Sequence, residues 1–302
     1  QQLYNGETYT LQIDSHTRFI ENWDHELKKE YKRLVKKGIK KPLITSYAPS
    51  FEPDNDPDSR IQKPWRMDFD RFSPDGNVHF LPSTVDDADE RTEPIPARFY
   101  SAHFAFAKGD FVKEVPHDPE YYFHGEEISI AVRAYTHGYD LLHPHKIYLW
   151  HYYTRRGLKK HWDDHTKWGE RNDGSHKRNR KLLSMDGEVY DPEFFGIYGL
   201  GTERTLDDYE RYAGLSFSRR AVQQHTIDKK DAPCPLFESE EEYQNSYSIP
   251  FKHCIDIHFD SVPHDDYDIW VVAFEDEDGN ELRRDDAKPD EIKRLMVDPD
   301  RF

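Results

Sequence analysis

The chain has 302 residues, enough for one large or two modest domains. Only 35% of it is hydrophobic, yet 19 Tyr, 18 Phe and 6 Trp can supply a core of aromatic rings, which excludes a disordered chain. A formal net charge of −17 excludes general nucleic-acid binding, and no apolar run approaches the length of a membrane span.

Two cysteines, Cys234 and Cys254, are too few for a disulfide framework and read as reduced thiols of a cytoplasmic protein. The alternating residues Tyr9, Leu11 and Ile13 predict a buried strand that ends in Asp14-Ser15-His16. In extended backbone, positions i and i+2 point the same way. The carboxylate of Asp14 and the imidazole of His16 can then face one divalent ion, although a turn-capping Asp beside an ordinary His fits the spacing equally well. Residues 21–37 predict an amphipathic helix, with Leu27, Tyr31, Leu34 and Val35 at helical spacing and Gly38 placed to end it. A short strand follows over 42–47.

Residues 48–95, rich in Pro, Asp and Ser, predict a long irregular excursion with hairpin strands near 65–69 and 77–81. Residues 97–107 read as one strand. His103 falls inside it and, with His124, His143 and His145, is assigned to packing or to a pocket rim. Gly125-Glu126-Glu127 opens a helix that runs to His137, placing two carboxylates where the helix dipole favours negative charge. Strands are expected at 140–144 and 147–153; the second carries Trp150 and His151 and is followed by Arg155 and Arg156.

Residues 155–181 hold ten Lys or Arg against four Asp or Glu, with Trp162 and Trp168 interleaved. That pattern fits a solvated helical face, or a cationic segment folding over phosphates. Residues 182–230 are expected to be helical, with Thr205 capping a helix whose first turn holds Asp207 and Asp208. After Pro233 and Pro235, alternation at Ile255, Ile257 and Phe259 predicts strands. A run over 269–274 before Asp276-Glu277-Asp278-Gly279-Asn280 predicts a hairpin. The expectation is a catalytic domain over 1–230 and a small β-rich appendage over 235–302. Over residues 260–302 the tail holds fifteen Asp or Glu against six Lys or Arg.

Asp14, His16 and His151 offer mixed oxygen and nitrogen ligands to a metal with open positions for diphosphate oxygens. Arg155 and Arg156 can add donors to those oxygens, and Glu126 or Glu127 can hold sugar hydroxyls.

The run Tyr122-Phe123-His124-Gly125-Glu126-Glu127-Ile128-Ser129-Ile130-Ala131, with the Asp-Ser-His tip and the downstream His, resembles the family 60 glycosyltransferases, the Skp1 hydroxyproline N-acetylglucosaminyltransferase-like proteins. It is similar, more remotely, to the polypeptide N-acetylgalactosaminyltransferases, which use an Asp-x-His motif, a Gly-Glu-Asn helix start and a later His in the same order. The resemblance covers about residues 9–215, and Leu200 to Tyr212 looks like the family's closing segment.

It implies an α/β fold of the GT-A type, UDP-GlcNAc as donor, Mn2+ or Mg2+, and retention at the anomeric carbon. It further implies Asp14 and His16 as the metal pair and His151 as third ligand. Glu126 and Glu127 then line the donor-sugar and acceptor pocket as the catalytic pair, with Trp150 as its wall beside Arg155 and Arg156. The acceptor is a hydroxyl on a protein or glycan. One departure stands out: in that fold a nucleotide-binding half precedes the metal strand, whereas thirteen residues precede Asp14 here. The expectation is that another segment or chain completes that half, and that residues 1–302 alone bind UDP-sugar poorly. Two other readings share the motifs: a non-catalytic glycan- or protein-binding module, and a metal hydrolase.

Overall fold

The computed structural model describes residues 1–73, 75–154, 167–249, 270–275 and 281–287. The chain divides into two compact units, Gln1–Tyr153 with Lys159–Lys252, and Thr154–Leu158 with His253–Phe302.

The first unit opens with β1 (Tyr9–Ile13), β2 (Thr17–Phe19), α1 (Trp23–Lys36) and β3 (Pro42–Thr45). A hairpin of β4 (Trp65–Phe72) and β5 (Val78–Thr84) stands where the irregular excursion was expected to hold one. Then come β6 (Ile95–Pro96), β7 (Phe104–Lys108), α2 (Phe111–Glu114), α3 (Glu126–Thr136), β8 (Asp140–His143), β9 (Leu149–His151) and α4 (Trp168–Leu182).

The central sheet has the order β1-β7-β3-β8-β6, parallel only between β3 and β8 and antiparallel elsewhere. Its strands are apolar on both faces because helices cover both. Phe104 and Phe106 of β7, Ile44 of β3 and Leu142 of β8 pack with Leu27, Tyr31 and Leu34 of α1. The alternate residues Ala105, Ala107, Leu43 and Leu141 pack with Ile128, Ala131 and Val132 of α3. Period-2 alternation therefore splits one sheet between two apolar clusters. Each fully buried Leu contributes about 1.5–3 kcal/mol.

Residues 182–230, expected to be helical throughout, are only partly so. They form α5 (Pro192–Phe195), α6 (Leu206–Ala213), β10 (Leu215–Ser216), β11 (Ala221–Gln223) and α7 (Gln224–Ile227). Tertiary burial of Leu215, Phe217, Ala221 and Val222 overrides local preference there. The cap on α6 does form: Thr205 Oγ1 accepts from Asp208 N–H at 3.0 Å, and Asp208 accepts from Thr205 N–H at 2.7 Å. Next, α8 (Glu240–Asn245) leads into β12 (Tyr247–Ser248), which pairs with β11 and lies inside the stretch assigned to the appendage.

In the second unit, β13 (Trp270–Glu275) and β14 (Glu281–Ala287) form an antiparallel pair. The strand expected at 255–259 and the turn at 276–280 lie outside the described residues. Among the described residues, no helix is long and apolar enough to cross a membrane.

Candidate metal centre

Strand register builds the site. β1 pairs antiparallel with β7 up to Ile13 opposite Phe104. One step further along that ladder sets Asp14 opposite His103. The chain then bends at Ser15 and His16, where Thr17 Oγ1 donates to the Asp14 carbonyl at 2.7 Å, and re-enters a ladder as β2. There Thr17 lies opposite His151 of β9. The backbone of His151 is fixed on its other edge as well: its N–H donates to Pro49 O (2.9 Å), and its carbonyl accepts from Phe51 N–H (3.2 Å).

Three ends of chain thus deliver Asp14, His103 and His151 to one place. Asp14 Oδ2 lies 3.1 Å from His151 Nε2 and 3.5 Å from His103 Nε2. One ligand atom from each of the three lies within 4.8 Å of the others, a spacing at which one ion can be shared. The two imidazoles stack, with centroids 4.7 Å apart and planes at 20°. His151 is 1% exposed while Asp14 and His103 are half-buried, so the trio faces outward from a firm base. Its donor set of one carboxylate and two imidazoles suits a divalent ion.

The sequence nominated His16 rather than His103. The ring of His16 stands 6.0 Å from that of His151 at 85°, outside the 4.8 Å group. The bend at Ser15–His16 removes the extended geometry on which the i, i+2 argument rests. His103 was hidden because residues 97–107 read as one strand, whereas the strand begins at Phe104. His103 therefore sits at the mouth of the ladder instead of inside it. The antiparallel partner of a motif-bearing strand is the signal that finds it.

Glu126 and Glu127 open α3, behind Gly125 in the left-handed region (φ 89°). A Cβ at Gly125 would meet Tyr121 Cε1 at 3.1 Å and Asn179 Cγ at 3.3 Å. Glu126 Oε1 lies 3.2 Å from His117 Nδ1. Glu127 points toward the sheet, where Oε1 accepts from Ala102 N–H (3.0 Å) and Oε2 from Tyr47 Oη (3.1 Å). Burial and the neighbouring Glu126 charge push its carboxyl up to about 8. Glu127 thereby holds the turn that carries His103, and the ring of Tyr47 lies 5.0 Å from that of His103.

Trp150 alternates with His151 along β9 and so faces the other way. Its Nε1–H donates to Ile61 O at 2.8 Å, and the Arg60 guanidinium sits 4.5 Å over its ring. Tyr153, whose ring lies 4.4 Å from that of His151, is the aromatic group beside the trio. Its hydroxyl donates to Ala48 O at 2.7 Å, and burial holds it protonated well above the usual phenol range. Arg155 and Arg156 lie outside the described residues.

A family model described as glycosyltransferase (GlcNAc) matches residues 1–219. The chain belongs to that family. The match spans the central sheet, the Asp14 trio and the start of α3, and the mixed α/β architecture is consistent with a glycosyltransferase fold. No curated protein matches the chain. As a GlcNAc glycosyltransferase, it acts on a nucleotide sugar and an acceptor.

Proposed function

We propose that this chain carries the metal-binding part of a GT-A-type N-acetylglucosaminyltransferase of the family 60 kind. It transfers GlcNAc from UDP-GlcNAc to a hydroxyl of a protein or glycan, with retention at the anomeric carbon. The convergence of Asp14, His103 and His151 in a chain of this family carries the reading. In the transfer, the acceptor oxygen bonds to the anomeric carbon as the bond from that carbon to the diphosphate oxygen breaks. The acceptor proton leaves with the diphosphate.

Asp14, His103 and His151 would hold Mn2+ or Mg2+, with His16 at the rim. Such an ion supplies positive charge to the oxygens of the departing UDP. Glu126 can hold a sugar or acceptor hydroxyl, whereas Glu127 keeps His103 in place. The cysteine usage supports a cytoplasmic setting.

The test is release of UDP from UDP-GlcNAc with Mn2+, alongside Mn2+ binding followed by electron paramagnetic resonance. Asp14→Ala is expected to lower turnover by two to three orders of magnitude and to weaken Mn2+ binding with the fold intact by circular dichroism. Unchanged turnover and unchanged Mn2+ affinity would sink the reading.

A further inference from the structure

A second group of imidazoles shares no residue with the Asp14 trio. His79 comes from β5, His124 from the turn before α3, and His176 from the middle of α4. The rings of His79 and His124 are 5.5 Å apart at 74°, and those of His124 and His176 are 5.9 Å apart at 10°. Three elements meet here under close constraint. Asn179 of α4 donates to Gly76 O at 3.1 Å, tying the helix to the β4–β5 turn, and it also packs against Gly125 at the start of α3.

His176 is the informative member. It is 4% exposed, and its Nδ1 lies 2.9 Å from Asp75 Oδ2. Asp75 is itself set by Ser73, which donates to its carboxylate, and by Arg180, which donates to its carbonyl. The other ring nitrogen, His176 Nε2, is buried and has no hydrogen-bond partner. A buried polar atom without a partner is costly unless something occupies it. A carboxylate on Nδ1 with the lone pair of Nε2 directed outward is how proteins orient a metal-binding imidazole.

We propose that His79, His124 and His176, with Asp75 behind His176, form a second metal site for a borderline divalent ion of the zinc class. Three imidazoles suit that class better than they suit Mg2+ or Mn2+, which favour oxygen. The ligand atoms do not converge as tightly as those of the Asp14 trio. Closing on an ion requires the half-buried rings of His79 and His124 to turn about their Cβ–Cγ bonds. A bound ion would cross-link the β4–β5 hairpin, the start of α3 and α4, with one position left for water or a ligand.

Co2+ added to the metal-stripped full chain tests this, because imidazole-bound Co2+ shows visible d–d absorption. The double variant Asp14→Asn, His151→Gln removes the first site and is expected to keep a Co2+ spectrum that Zn2+ abolishes. In that background, His176→Gln and His79→Gln are each expected to remove the spectrum. Asp75→Asn should weaken Co2+ binding about 10- to 100-fold. His79 is half-buried, so its variant reads out the site if His176→Gln fails to fold. A spectrum indifferent to His79→Gln, or one lost entirely with the first site, overturns the proposal. Neither result depends on transfer activity, so the assignment of the Asp14 trio is tested separately.

Discussion

The two histidine groups are held in different ways. Asp14, His103 and His151 sit at strand ends whose register is set by main-chain ladders, so a ladder slip would displace the whole set. His79, His124 and His176 come from a hairpin, a turn and a helix, and their spacing depends on side-chain packing. Ladder-held ligands converge before any ion arrives; packing-held ligands keep rotational freedom. The first arrangement favours a demanding, charge-rich partner, and the second favours an ion that brings strong imidazole affinity of its own.

The largest expected effect tests the support of the first group with acid. Beneath the first lies His143, 1% exposed, whose Nδ1 donates to Thr45 O (2.8 Å) and whose Nε2 accepts from Met67 N–H (3.3 Å). Both nitrogens are used, so the ring must be neutral. Thr45 Oγ1 accepts from Ser101 N–H, and Ser101 Oγ accepts from His103 N–H, which connects this ring to the Asp14 trio. Burial lowers His143 to about 4. A folded value below the unfolded one gives stability that is full above about 6.5 and is lost as pH falls towards 4. The loss is on the order of 3 kcal/mol. Urea unfolding from pH 7 to 4 should show it, and His143→Gln, though less stable at pH 7, should flatten the slope. Equal slopes for both proteins would remove His143 as the support of the site.

A smaller effect sharpens the contrast within the first group. His103→Ala is expected to weaken Mn2+ binding about 10- to 100-fold, and His16→Ala by clearly less. The reverse order would restore the Asp-x-His pair as the ligand set.

That contrast marks how far the residues could be read alone. Tyr9, Leu11 and Ile13 announced their strand, and Leu27, Tyr31 and Leu34 announced the buried face of α1, because each pattern is local. His103 was not legible, since the stretch before it leaves strand geometry for non-local reasons. Arg98 is buried with its guanidinium donating to Ala213 O and Lys230 O, and Ser101 N–H donates to a side chain rather than a ladder. Those partners lie far along the chain. The same limit applies to residues 215–223, whose strands exist because β10, β11 and β12 find one another.

The smallest predicted effect concerns Glu127, a carboxyl that binds the turn under His103 rather than a ligand. Glu127→Gln keeps an acceptor for Ala102 N–H and, with Glu127 raised to about 8, replaces a group that is largely neutral at pH 7. It should therefore cost less than about 1 kcal/mol and leave Mn2+ affinity near that of the parent. Glu127→Ala strands both the Ala102 N–H and the Tyr47 hydroxyl, at about 1–3 kcal/mol, and should weaken Mn2+ binding by releasing His103. The sign with pH is opposite to that of His143. A folded value raised above the unfolded one gives stability that is full below about 4.5 and is lost as pH rises through about 8. Glu127→Gln should abolish that alkaline loss in urea unfolding between pH 6 and 9. If Gln and Ala variants bind Mn2+ equally and share the parent's alkaline slope, Glu127 does not hold the turn, and the strand ladder alone positions His103.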